Sequence, residues 1–175
     1  YCDMYYFEDA VADETKKAQQ ILEMVFSSMR QSGSTPVGYA LLDGDQSLPG
    51  PRERPQEHIR FIQLACRESE NLFLSDEILE HLGLTWPEAN QKLIQAVGSH
   101  PDIREALQDS MSWDRKCVDL KQIIKRVAHI LDAKDRPWFV AIGQCLRDDR
   151  PSGQLAEFLG EDVLNVFWPT PDSGS

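Results

Sequence analysis

The chain has little that would support a metal-thiolate or disulfide framework. Its four cysteines, Cys2, Cys66, Cys117 and Cys145, are widely separated and form no Cys-x-x-Cys pair, so a reducing, cytoplasmic setting is the default expectation. Four histidines show no paired spacing, and His58, on an apolar-leaning stretch, reads as a structural residue. No apolar run approaches the roughly 20 residues of a membrane span, and no signal-peptide pattern is present, so no membrane partner is expected. A Gly-rich loop ending in Lys-Ser/Thr, the phosphate-cradling motif of nucleotide-binding domains, is missing. There is no internal repeat and no low-complexity block. Positive charge is scarce as well. With 18 Lys and Arg against 29 Asp and Glu, the net charge of −11 argues against broad electrostatic attraction to nucleic acid.

Against those absences, one stretch reads as chemistry. Thr35-Pro-Val-Gly-Tyr-Ala-Leu-Leu42 is an apolar run rich in strand formers, preceded by Ser32-Gly33-Ser34 and closed by Asp43-Gly44-Asp45. That is the pattern of a buried strand ending in two carboxylates. Side chains alternate faces along a strand, so Asp43 and Asp45 emerge on one side, and Gly44 between them permits a sharp bend. At an effective dielectric near 20, two such charges about 5 Å apart repel by roughly 3 kcal/mol. A divalent cation would offset that repulsion, and oxygen-only ligands suit Mg²⁺ or Mn²⁺ better than zinc. The plainer alternative is a polar turn with both carboxylates in water.

A second acidic group follows. After a Pro/Gly/Arg loop over residues 48–55, His58-Ile-Arg-Phe-Ile-Gln-Leu-Ala65 alternates as a second strand and runs into Cys66-Arg67-Glu68-Ser69-Glu70-Asn71-Leu72. If the two strands are parallel neighbours, both acidic groups stand at the carboxyl edge where open α/β sheets place their ligands. Asn71 then either orients a carboxylate or caps the turn after the strand. Arg52, Arg54, Arg60 and Arg67 flank these groups, either to meet phosphates or as a solvated loop interspersed with Glu53 and Glu57.

A strand ending in Asp43-x-Asp45, then Arg67-Glu68-x-Glu70-Asn71-Leu72 about two dozen residues on, resembles the second half of the Toprim domain in the OLD (overcoming lysogenization defect) family of ATP-dependent endonucleases. The resemblance spans roughly residues 37–82, about a quarter of the chain. It implies that Asp43, Asp45, Glu68 and Glu70 hold divalent metal for phosphodiester cleavage, and that an ATPase domain of the ABC or AAA type precedes them. Two features depart from the family pattern. Nothing before Asp43 reads as strand, Glu-Gly, helix; Glu8 and Asp9 precede a different helix and read as flank or cap residues. A Gly-Lys pair expected near a late Trp is here Gly143-Gln144, after Trp138. The chain also begins Tyr1-Cys2-Asp3 without an initiator Met, as a piece cut from something longer would.

The rest reads as architecture. Tyr1 to Phe7 is expected to be a short strand. Asp13 caps a helix whose Ala18, Ile21, Leu22, Val25, Phe26 and Met29 form one stripe, giving the strand–helix–strand order of a parallel crossover. Beyond Asn71 only helices are expected: Ile78 to Leu82 started by Ser75-Asp76-Glu77 and stopped by Gly83; one after the Thr85-Trp-Pro-Glu88 capping box, with Ala89, Leu93, Ile94 and Val97 on one face; and a short one after Pro101 carrying Ile103, Ala106 and Leu107. Then come the strongest helical signal, Asp114 to Leu131, and two more from Trp138 to Leu146 and Gln154 to Phe167. Trp86, Trp113, Trp138 and Trp168 read as packing residues rather than base-stacking ones.

The expected fold is therefore α/β: a partial, Toprim-like parallel sheet with flanking helices over 1–84, an all-helical extension over 85–168, and a disordered tail over 169–175. The expected function is metal-dependent nucleic-acid phosphodiester hydrolysis with Asp43, Asp45 and Glu70 as the catalytic set. Asp43 and Asp45 hold one Mg²⁺ or Mn²⁺, Glu70 bridges or completes the site, and Glu68 is a metal or neighbouring residue. The expected partners are DNA, an upstream ATPase domain that alone would bring ATP, and other copies of the chain through that domain. The alternatives are a non-catalytic Toprim-like module that regulates or scaffolds an ATPase, and an unrelated helical interaction domain with a small sheet.

Overall fold

The computed structural model describes residues 38–45, 59–132, 136–147 and 149–169. The strand over Tyr1–Phe7, the helix through Ala18–Met29, Arg52, Arg54, His58 and the tail beyond Pro169 lie outside the described residues.

Two strands pair among the described residues, β1 Gly38–Leu42 and β2 Ile59–Gln63, and they run parallel, with Gly38 opposite Ile59 and Leu42 opposite Gln63. The alternation expected of β2 holds, since Ile62, Leu64 and Cys66 are buried while Phe61, Gln63 and Ala65 are more open. The strand nevertheless stops at Gln63 rather than Ala65. The Ala65 and Cys66 N–H groups leave the ladder to donate to Phe158 O, at 3.1 and 2.9 Å.

Seven α-helices follow among the described residues: α1 Asp76–His81, α2 Trp86–Ala96, α3 Arg104–Gln108, α4 Ile124–Leu131, α5 Trp138–Cys145, α6 Gly153–Leu159 and α7 Glu161–Phe167. The molecule is thus mixed α/β and mostly helical, with a small parallel sheet. Packing divides the described residues into two units, β1 with β2, and 43–45 with everything from Leu64 onward. Residues 64–84 group with the helices that follow them rather than with the strands.

The centre of the second unit is a 3-10 segment, Ser69–Leu74, whose six residues are all buried. Helices α1, α5 and α6 pack on it, and α2 packs on α4. Local signals place several helix ends correctly. Gly83, at φ +76°, closes α1 in a Schellman arrangement: its N–H reaches Glu80 O at 2.8 Å and the Leu84 N–H reaches Leu79 O at 2.9 Å. Glu88 accepts the Thr85 N–H at 2.8 Å, as the capping box at the start of α2 requires. Helices α1 and α6 cap each other. Glu77 accepts the Gln154 and Leu155 N–H groups at 2.9 and 2.8 Å, while the Gln154 side chain accepts the Asp76 N–H at 3.1 Å. Trp86 lies under the Arg115 guanidinium, 4.9 Å from ring centroid to Cζ.

Three helical expectations are corrected. On α2 the buried stripe is Ala89, Asn90 and Leu93, and Ile94 is 40% exposed, because Asn90 turns inward to accept the Ser110 hydroxyl at 2.7 Å. The segment 114–131 is helical only from Ile124; its first half is held as a loop by tertiary hydrogen bonds described below. The stretch 154–167 is two helices. Gly160, at φ +85° and ψ 155°, breaks it, and a Cβ there would stand 2.9 Å from the Ala65 Cβ. That backbone region is open essentially to glycine alone, so Gly160→Ala is expected to lower stability by about 2–3 kcal/mol. Urea unfolding measures this, and an unchanged midpoint would contradict the need for glycine.

Candidate functional site

The chain leaves β1 at Leu42 and enters Asp43-Gly44-Asp45, which is bound to the segment after Leu64 by backbone bonds. Gly44 donates to Cys66 O at 3.0 Å and Asp45 to Arg67 O at 3.2 Å. Glycine is required here by space rather than by φ. A Cβ on Gly44 would overlap Cys66 O and stand 2.8 Å from Cys66 C and 2.9 Å from Leu64 O, all main-chain atoms. This close approach carries the two acidic groups to one place.

Ser69 joins them. Its N–H donates to Asp43 Oδ1 at 3.0 Å, and its hydroxyl donates to Glu70 Oε2 at 3.1 Å. Glu70, buried at 9% exposure, thus follows directly on the residue that anchors Asp43. Asp43 feels the result. Burial pushes its carboxyl above the ordinary value of 3.8, the Ser69 N–H pulls the other way, and the charges of Glu70 and Asp45 push it further up. The structure therefore brings Asp43, Asp45 and Glu70 together as electrostatic neighbours.

Glu68 has a different setting. Its Oε2 accepts the Leu120 N–H at 3.2 Å, and its Oε1 lies 3.7 Å from Arg67 Nε. Burial raises its pKa; the Leu120 N–H opposes this, and the charges of Asp119 and Glu70 add to it. Asn71, fully buried, accepts the Glu68 N–H at 2.9 Å and donates to Arg115 O at 2.9 Å and Val118 O at 2.8 Å. The Arg67 N–H adds a bond to Lys116 O at 2.9 Å. Glu68 and Asn71 together therefore hold residues 115–120 out of the helix that their apolar spacing favours. Of the two roles open to Asn71, it caps the turn and ties it to that loop.

Three residues of the site were not singled out as its members from sequence. Ser69 is the bridge, Cys66 supplies the carbonyl that Gly44 binds, and Asp119 takes an Arg67 N–H at 3.3 Å. Cys66 is an inert core thiol, fully buried and pushed up to about 12. Ser69 could have been suspected from its place between two glutamates, whereas nothing in the sequence marks Asp119. Of the arginines, Arg67 is at the site and Arg60 is exposed on β2. Gln144 accepts a hydrogen bond from Arg136 and pairs with His81, each at 3.0 Å.

Whether these residues fit a divalent cation can be judged from the donors. Asp43, Asp45 and Glu70 offer only oxygen, the donor type that hard divalent cations take. As the side chains stand, no group of three or more His, Cys, Asp and Glu among the described residues could hold a metal ion, and the Asp45 carboxylate is turned to Arg67 at 3.7 Å. No helix among the described residues is long and apolar enough to cross a membrane. Comparison with known proteins found no match to the chain among protein-family models, curated proteins or solved structures.

Proposed function

We propose that the chain is the Toprim-like nuclease portion of an ATPase-linked enzyme of the OLD type, acting in metal-dependent hydrolysis of a nucleic-acid phosphodiester, with DNA as substrate. The observation that supports this reading is that Ser69 is hydrogen-bonded to both Asp43 and Glu70, and that the charges of Glu70 and Asp45 both act on Asp43. Asp43, Asp45 and Glu70 would hold Mg²⁺ or Mn²⁺. When bound, such an ion activates water for attack on phosphorus and stabilises the oxygen that leaves as the P–O bond breaks.

The chain's own residues supply position. Ser69 orients Asp43 and Glu70, and Gly44 lets the Asp43–Asp45 turn lie against residues 66–67. Glu68 also fixes the 115–120 loop, one of its oxygens being bound to the Leu120 N–H. ATP would act only through an upstream ATPase domain, which would also be the route to any assembly of copies.

The test is a Mn²⁺ titration of the chain, Asp43→Ala and Glu70→Ala, followed by supercoiled-DNA cleavage with the full-length protein. Saturable binding that falls at least tenfold in both variants, with cleavage abolished alike, is the expected result. Binding that survives either substitution would remove the shared site. The second reading, a non-catalytic regulatory or scaffolding module, is favoured by Gln144 in place of lysine and by the charge of −11. It predicts metal binding, or none, with no cleavage in any form.

A further inference from the structure

We propose that the solvent face of α4, together with the turn that leads into it, is a docking surface for the phosphate backbone of duplex DNA. The partner class rests on the nucleic-acid reading above, and the surface needs no divalent cation. Residues 120–131 contain Lys121, Lys125 and Arg126 and no acidic residue, whereas the rest of the chain has 15 Lys and Arg against 29 Asp and Glu. A chain that on balance repels a polyanion therefore attracts one along this helix.

The apolar stripe sorts the side chains. Ile124, Val127, Ala128 and Leu131 are buried, which fixes the helix to the core and leaves Gln122, Lys125, Arg126 and His129 exposed. The Ile124 N–H reaches Leu120 O at 2.7 Å, so the turn before α4 is helical too. Lys121, half-buried, and His129 thus stand one turn to either side of Lys125, in steps of about 6 Å. The acids that flank this row face arginines outside it, Asp119 with Arg67 at 3.3 Å and Asp132 with Arg136 at 2.9 Å. Arg126 meets Asp102 at 3.2 Å, but those side chains are 57% and 52% exposed, and a pair so open to water is weak enough for a phosphate to replace.

The composition of the face selects the partner. Protein interfaces are anchored by aromatic and apolar side chains, and the exposed large apolar residues among the described ones are Ile94, Met111 and Phe139, none of them on α4. Single strands are held by stacking bases on aromatic rings, and residues 120–131 contain no Phe, Tyr or Trp. A rigid row of cations instead complements a duplex, with one negative charge per roughly 1.7 Å of its axis. The place fits as well. Lys121 follows directly on Leu120, whose N–H is bound to Glu68 Oε2 at 3.2 Å, so the row starts beside the segment that carries Glu70.

The experiment is a fluorescence-anisotropy titration of a short labelled duplex with the whole chain in EDTA, over a range of salt, with circular dichroism to establish folding of each variant. At about 0.1 M salt, Lys125→Gln is expected to weaken binding roughly eightfold, and Lys125→Gln combined with Arg126→Gln roughly sixtyfold. The slope of log affinity against log salt should become shallower by about one and about two. Arg147→Gln, which removes an exposed charge beyond α5, should match the parent. Equal losses in Arg147→Gln and Lys125→Gln would show a diffuse effect of charge and overturn the surface. Duplex bound alike by the parent and the double variant overturns the surface and leaves the nucleic-acid reading standing. No binding by the chain, with supercoiled DNA still cut by the full-length protein, does the same; neither binding nor cleavage overturns both. Tighter binding of the matching single strand, or of polyglutamate, would give the face to another partner and overturn duplex DNA.

Discussion

Gly44→Ala is expected to lower stability by about 3–5 kcal/mol and to abolish divalent-cation binding. The atoms a methyl group would meet are Cys66 O, Cys66 C and Leu64 O, and main chain cannot step aside as the end of a flexible side chain can. Relief requires parting the two segments, which loses the bonds from Gly44 to Cys66 O and from Asp45 to Arg67 O, at 3.0 and 3.2 Å. Asp43 then moves away from the Ser69 N–H, and the cluster opens. Gly98 is the control, since a Cβ there meets nothing within 4 Å. Guanidinium unfolding of both variants, with Mn²⁺ titration of each, decides the matter. Near-equal midpoints for Gly44→Ala and Gly98→Ala would mean that the approach at Gly44 is not needed.

Asn71→Ala is expected to be as severe, at about 3–5 kcal/mol, for a different reason. The side chain is fully buried and makes hydrogen bonds to three backbone groups, the Glu68 N–H and the carbonyls of Arg115 and Val118. Truncation leaves all three without this partner inside the protein and adds a cavity. Asn71→Leu, which restores much of the volume but none of the bonds, should recover little of the loss. Hydrogen exchange gives a local readout: the Leu120 amide, bound to Glu68 at 3.2 Å, should lose protection in Asn71→Ala before the amides of α4 do. A mild effect on stability with Leu120 still protected would show that the 115–120 loop is held by something other than Asn71.

These two positions also show where reading the sequence succeeds and where it stops. That acidic residues follow the first strand was legible because Asp43 comes directly after an apolar run, but the alternation expected to carry Asp45 to the same side does not operate, since β1 ends at Leu42 and residues 43–45 form a turn. Helix ends were legible at Gly83 and Thr85 for a similar reason, since a cap is completed within a few residues. The helix expected over 114–131 failed because its periodicity is genuine, yet Glu68 and Asn71, far off in sequence, bind the backbone of 115–120 more favourably than a continued helix would. Gly160 failed likewise. The residues on either side favour helix, and the break is required by Ala65, whose N–H reaches the carbonyls of Phe158 and Leu159 at 3.1 and 3.3 Å.

By itself, then, the sequence determined the class of the chain, the two acidic groups, the direction in which each strand delivers them, and most helix starts, because all of these depend on neighbours within a turn or two of backbone. Tertiary structure alone decided which carboxylates face one another, that Ser69 bonds to both Asp43 and Glu70, that Glu68 serves the loop, and that Arg67 stands against Asp45. Those outcomes depend on hydrogen-bond partners and charges brought close from distant parts of the chain. No periodicity encodes them, and burial decides their strength.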